Sequence, residues 1–187
     1  MSMITSNDFK TGLTIQHNGN LYQIIEFQHV KPGKGSAFVR SKLRNLRTGT
    51  ITEKTWRAGE KVETALIDRR PMQFIYADGD TYVFMNKETF EQLEINVKQI
   101  EYERNFLVEN MDVEIRFFEN EILGVELPEK VTLEVIETVP GVRGNTVTNT
   151  TKDAVLETGY KIQVPLFINE GEKIVVNTET GKYSAKA

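Results

Sequence analysis

Strand signals dominate this chain, and glycine turns cut the strands short. Leu13-Thr14-Ile15 alternates in polarity, Asn18-Gly19 is a two-residue hairpin signal, and residues 21–27 read as the return strand. Lys31-Pro32-Gly33-Lys34-Gly35 reads as a turn, because proline fixes φ and the glycines accept positive φ. Residues 37–46 form a long alternating segment. It places Ala37, Val39 and Leu43 on one face and Arg40, Lys42 and Arg44 on the other. Arg47-Thr48-Gly49-Thr50 turns it and residues 51–56 return. A small, strongly bent β-barrel fits this pattern.

A second module starts near Ala65. Residues 72–76 and 81–85 flank a turn at Asp78-Gly79, and two short helices are expected after them. One covers residues 87–92. Asn96 caps the other, with Gln99 placed for a capping box and Val97, Ile100 and Arg104 on one stripe. Residues 112–118 and 121–127 then make a hairpin around Glu119-Asn120. Pro128 marks a second boundary. Residues 131–136 alternate, residues 139–151 read as a polar loop, and strands follow at 160–164 and 173–177, before a last turn at Thr180-Gly181. The expected fold is therefore all-β with short helices: three small β-barrels in tandem, the last two OB-like, at residues 1–64, 65–127 and 128–187.

Charge separates these modules. Residues 1–64 hold ten Lys and Arg against five Asp and Glu, a net of +5; residues 65–127 hold six against fourteen, a net of −8. Residues 128–187 hold seven against eight, so the chain totals −4. A general nucleic-acid coat is disfavoured, whereas a basic end that meets a polyanion fits. The composition, 39% hydrophobic and 27% charged, suits a folded soluble protein. Without cysteine there are no disulfides or thiolate metal sites. The first eight residues lack a basic stretch followed by an apolar run, and no segment approaches about 20 apolar residues. A cytoplasmic location is the expectation.

Catalytic ingredients are sparse. His17 lies beside a hairpin turn and His29 precedes the basic turn, and neither belongs to a metal-ligand spacing. No phosphate loop, nucleophile elbow or dinucleotide fingerprint occurs. Asp78-Gly79-Asp80 lacks the rest of a calcium loop and reads as a turn. The carboxylates of residues 88–126 are scattered as on a solvated face. No enzyme activity, metal or cofactor is expected.

One run stands out. Between Glu26 and Glu53 there is no acidic residue, while Lys31, Lys34, Arg40, Lys42, Arg44 and Arg47 all fall there. An ordinary edge strand protected by lysine is one reading; phosphate contact along a strand face leading to a rigid tip is the other. Lys34 is flanked by Gly33 and Gly35, which leave its side chain uncrowded and let the backbone approach another surface. On these residues alone, a turn lysine that serves solubility remains an adequate account.

The motifs also resemble a known family. Lys31-Pro32-Gly33-Lys34-Gly35, Ala37-Phe38, Lys42-Leu43-Arg44, Arg47-Thr48-Gly49 and Glu53-Lys54-Thr55 are similar to the first domain of elongation factor P. Tyr82-Val83-Phe84-Met85-Asn86 and Glu88-Thr89-Phe90-Glu91-Gln92 resemble its second domain. Lys152, Ala154, Gly159, Val164-Pro165 and Gly171 match the spacing of its C-terminal signature. The resemblance is colinear and covers nearly the whole chain.

This resemblance implies an SH3-like or KOW-like barrel followed by two OB barrels in an L-shaped, tRNA-like outline. It implies binding to the 70S ribosome between the peptidyl and exit tRNA sites, with Lys34 reaching the peptidyl-transferase centre to help ribosomes stalled at consecutive prolines. The implied partners are rRNA, peptidyl-tRNA and an enzyme that modifies Lys34, with no membrane and a monomeric chain. The implied RNA contacts are Arg40, Lys42, Arg44 and Arg47, the loop Gly144, Asn145 and Thr146, and the tail residues Tyr183 and Lys186. Two positions depart from relatives: Asn145 stands where Asp is common, and Lys186 where Arg is common. Asn keeps an acceptor but loses the charge, and Lys loses bidentate geometry. A paralogous ribosome-binding factor of the same fold and a general OB-type RNA binder are the competing readings. The intact Pro32-Gly33-Lys34-Gly35 tip weighs against the first, and the acidic later modules against the second.

Overall fold

The computed structural model describes residues 2–141 and 150–187. The chain divides into two compact units. One holds the residues up to Arg69 together with Arg116–Leu123; the other holds Arg70–Ile115 and Gly124–Ala187.

The first unit is built on a six-stranded sheet: β1 (Met3–Thr5), β2 (Thr14–His17), β3 (Asn20–Val30), β4 (Phe38–Asn45), β5 (Ile51–Arg57) and β6 (Lys61–Thr64), in the order β1-β6-β2-β3-β4-β5. Asn18 and Gly19 both take positive φ (51° and 77°), as a two-residue turn between right-twisted strands demands, and His17 pairs with Asn20 across it. The β3–β4 ladder runs from Tyr22 opposite Asn45 to Val30 opposite Phe38, with one register slip between Ile24 and Glu26. Phe9, Ile15, Ile24, Val39, Leu43, Trp56 and Val62 fill the core. The Trp56 indole N–H donates to Ser41 Oγ at 2.9 Å, and that hydroxyl donates to the Lys54 carbonyl at 3.0 Å, so the polar groups buried with the tryptophan are satisfied.

A second sheet has β7 (Ile67–Asp78), β8 (Thr81–Met85), β9 (Gln92–Asn96), β10 (Asp112–Phe118) and β11 (Glu121–Glu126), in the order β11-β10-β7-β8-β9. Residues 116–123, the tip of the β10–β11 hairpin, group with the first unit. A third sheet has β12 (Lys130–Thr138), β13 (Thr151–Leu156), β14 (Lys161–Pro165), β15 (Lys173–Asn177) and β16 (Lys182–Lys186), in the order β14-β13-β12-β15-β16. The fold is nearly all-β, as expected.

Neither expected helix forms. At residues 87–92 the Asn86 side-chain oxygen accepts from the backbone N–H groups of Glu88 and Thr89, and the Asn86 N–H donates to the Glu91 carbonyl. Phe90 takes φ +62°, which no α-helix allows, and β9 starts two residues later. Between Asn96 and β10 the chain makes two short 3-10 turns, Val97–Gln99 and Glu103–Phe106. Asn96 does cap the first, accepting from Lys98 N, but Gln99 closes no box. The second turn has a packing reason. It drives Phe106 into the core of the third barrel, against Val131, Leu133 and Ile174 among others. Tyr102 Oη donates to the Thr178 carbonyl at 2.5 Å, and Thr158 Oγ1 to the Asn105 carbonyl at 2.6 Å. These contacts lie inside the second unit.

Strands β1, β6, β9, β13 and β16 were not expected from the pattern. β13 shows why: Lys152 occupies an inward position beside Ala154 and Leu156, so the alternation is masked by a charged residue. Its ammonium donates to the Val139 carbonyl at 2.5 Å.

Candidate functional site

Lys34 lies in the segment that joins β3 to β4, beyond the last ladder pair, Val30 with Phe38. Lys31, Gly33, Lys34, Gly35 and Ser36 are exposed and Pro32 is half-buried. Gly35 takes φ +97°, a conformation that penalises any side chain, so its glycine is required by the turn. A Cβ at Gly33 would meet nothing, so its role is openness around Lys34. Among the described residues no carboxylate pairs with Lys34.

The basic face behind the tip is less uniform than its sequence. Arg40 sits between Gln28 on β3 and Thr55 on β5, and its guanidinium lies 5.7 Å from the Phe38 ring centre. Arg44 sits between Gln23 and Ile51. Both are exposed. Lys42, however, sits between Glu26 and Glu53, and its ammonium is 3.5 Å from the Glu26 carboxylate. Of the two acids that bracket the acid-free run, Glu26 thus pairs with Lys42 and Glu53 lies opposite it on β5.

Arg47 is held more firmly. Its Nε and Nη2 donate to the two Glu121 oxygens at 2.7 and 2.9 Å, and Nη1 donates to the Gly19 carbonyl at 2.9 Å. The bidentate pair holds the Glu121 carboxyl below its usual range and raises Arg47 further. His17 packs edge-on to Trp56 at 4.9 Å, and burial with the nearby Lys54 lowers its pKa. His29 is exposed beside Phe27.

In the third barrel, Tyr183 is half-buried against the core and Lys186 forms an ion pair with Glu172 at 2.8 Å. Gly144, Asn145 and Thr146 lie outside the described residues. Among the described residues no group of three His, Asp or Glu is arranged to hold a metal, and no helix is long and apolar enough to cross a membrane.

Three domain families match the chain in order. The elongation factor P KOW-like domain matches residues 5–62, the elongation factor P OB domain residues 67–125, and the elongation factor P C-terminal domain residues 131–186. The chain belongs to the elongation factor P family. Among solved structures it is similar to eukaryotic translation initiation factor 5A from Methanococcus jannaschii. That match has 27% identity and a TM-score of 0.53, and covers 66% of this chain and 95% of that one. A translation initiation factor 5A family protein from Naegleria fowleri aligns over 67% of this chain and 98% of that chain with a TM-score of 0.52. At 15% identity, that second likeness concerns the fold alone.

An elongation factor P family member is a translation factor of tandem β domains, and membership implies interaction with the ribosome. Within this family member, the strand ladder brings Arg40 and Arg44 to one exposed face and joins that face to the Lys34 loop. Tyr183 and Lys186 belong to β16 of the third sheet, in the other unit. Sequence reasoning missed Glu26 as the ionic partner of Lys42, Glu53 as its cross-strand neighbour and Glu121 as the partner of Arg47. Cross-strand register could have exposed the first two once the hairpin turns were fixed; nothing local to Arg47 points to a residue 74 positions away.

Proposed function

We propose that this chain binds the 70S ribosome between the peptidyl and exit tRNA sites and promotes peptide-bond formation at consecutive prolines. The observation that carries the reading is an exposed Lys34, paired with no carboxylate among the described residues, on a glycine-flanked turn at the end of the β3–β4 arm, in a chain of this family. Arg40 and Arg44 meet rRNA phosphates beside it. Proline is a constrained and poorly oriented reactant. A cationic probe that holds the end of peptidyl-tRNA lowers the entropic cost of reaching reactive geometry, and needs no acid or base of its own. A lysine ammonium offers three donors on a flexible stem, and a group added to Lys34 by a modifying enzyme would extend that reach. The working form is a cytoplasmic monomer, with modules at residues 1–64, 65–127 and 128–187. Gly144, Asn145 and Thr146, together with Tyr183 and Lys186, are the proposed contacts of the third module.

The test is a reporter with and without three consecutive prolines, translated in a lysate depleted of this factor. Adding the protein back should speed only the proline-containing reporter. Equal acceleration of both reporters, or of neither, refutes the proposal.

A further inference from the structure

A cleft of about 660 Å³ lies wholly within the first unit, and no residue of the Lys34 turn lines it. That volume is in the range of sites for small organic molecules. Its walls come from β1, residues 12–14, residues 64–67 and the β10–β11 hairpin. Aliphatic side chains dominate the apolar part, among them Ile4, Leu13, Leu46, Leu66 and Leu123. Leu66 is 80% exposed, an unusual amount of open surface for a leucine that borders a cavity.

The charged part is one-sided. Arg116 lines the cleft together with Arg69, which already has a partner elsewhere, and no Asp or Glu is among the described residues that line it. Low-dielectric walls around charges of one sign concentrate ligands of the other sign. Arg116 adds a second observation: its Nε is shielded from solvent and has no hydrogen-bond partner. A shielded donor without an acceptor is uncommon in folded proteins. Among the described residues no aromatic ring lines the cleft, so none of them stacks there on a nucleic-acid base. These features select against a nucleotide and for an aliphatic body with an anionic head.

We infer that the cleft binds a small amphipathic anion. The aliphatic chain lies against Leu13, Leu66 and Leu123, and a carboxylate or phosphate monoester head is held by the Arg116 guanidinium. A planar carboxylate matches the guanidinium fork, and a phosphate supplies the same acceptors with more charge. The site does not depend on the Lys34 turn.

The experiment uses the full ¹⁵N-labelled chain titrated with octanoate, octyl phosphate, octanol and acetate, followed by amide shifts. Octanoate or octyl phosphate should saturate, with shifts centred on residues 12–14, 65–67, 116 and 123. Whichever binds tighter identifies the head group. Octanol and acetate should each bind at least roughly tenfold more weakly, because each lacks one half of the ligand. Arg116→Met keeps the aliphatic stem and should weaken binding roughly tenfold. Leu66→Ser alters an exposed side chain, so the fold should persist, and it should weaken octanoate more than acetate. Lys34→Ala should bind as the parent does. Failure of both anions to saturate overturns the inference, as do shifts that map elsewhere. Undiminished binding by folded Arg116→Met does so too, and if that variant fails to fold, undiminished binding by Leu66→Ser decides the matter in the same direction.

Discussion

Lys34 and Arg47 stand at opposite ends of β4 and come from the same acid-free run of sequence. Lys34 is exposed on a glycine-flanked turn, and among the described residues no carboxylate meets it. Arg47 donates three hydrogen bonds, two to Glu121 and one to the Gly19 carbonyl. Between them, Lys42 faces Glu26 and Glu53 across its two neighbouring strands, whereas Arg40 and Arg44 face uncharged residues. The formal charge of a segment therefore overstates what a polyanion can use. A cation already paired must exchange a carboxylate for a phosphate, and gains only the difference. An unpaired one gains the full contact, less the cost of ordering its side chain.

The widest separation between the two ends should come from Lys34. Lys34→Ala buries and exposes little, so its effect on folding should stay within about 0.5 kcal/mol. Ribosome binding should weaken modestly, because Arg40 and Arg44 remain. Proline-dependent rescue should fall by roughly tenfold or more, because positioning is lost and not only affinity. Lys34→Arg keeps charge and bulk but changes the head group, and it blocks a lysine-specific modification. A severe loss is expected there too. Melting, ribosome binding and rescue measured on the same preparations separate the cases. Full rescue by Lys34→Ala with normal binding would make Lys34 an ordinary turn lysine.

A smaller effect should divide the cations along β4. Removing one phosphate contact reduces the slope of log affinity against log salt by about 0.7–0.9. Arg40→Gln combined with Arg44→Gln should flatten the salt dependence of ribosome binding by up to about twice that amount. Lys42→Gln should change the slope far less, because Glu26 already pairs with it and Glu53 lies opposite it on β5. Equal slopes for the double variant and the parent would move the RNA contact elsewhere. A large change from Lys42→Gln would mean that cross-strand pairing does not limit its availability.

The first barrel was legible because its turns announce themselves. Asn18-Gly19 fixes a hairpin, the hairpin fixes register, and register places Val39 and Leu43 inward and Arg40 and Arg44 outward. The Lys34 tip was legible for the same reason, since Gly33 and Gly35 flank it. What sequence could not supply was pairing at a distance. Glu121 reaches Arg47 from another hairpin, and Phe106 completes a core whose strands begin some 25 residues later. The helix expected after Asn96 stops at a single 3-10 turn, which Asn96 does cap, and the next turn at Glu103–Phe106 serves to place Phe106 in the third core. Phe90 is a harder case: a bulky residue at φ +62° contradicts its own preference, and only the Asn86-centred turn around it explains the segment.

The smallest expected effect tests the locked end. Glu121→Gln retains one acceptor for Arg47 but removes the charge. The pair is partly exposed, with side-chain exposures of 35% for Arg47 and 43% for Glu121, so the loss of stability at pH 7 should be no more than about 1 kcal/mol. The pH dependence gives the sharper reading. Pairing with Arg47 lowers the folded-state pKa of Glu121 below its ordinary value of 4.5. The carboxylate's contribution is therefore fully present above that unfolded value and is lost as pH falls through the lower folded one. Urea unfolding of the parent and Glu121→Gln should differ at pH 7 and converge in acid. Added salt at about 1 M should also shrink the difference at pH 7, because exposed charges are screened within about 3 Å there. If the gap between the two proteins persists unchanged in acid, the carboxylate charge is not what ties Arg47 down. The contrast with Lys34 would then rest on the Gly19 carbonyl and on the shape of the turn.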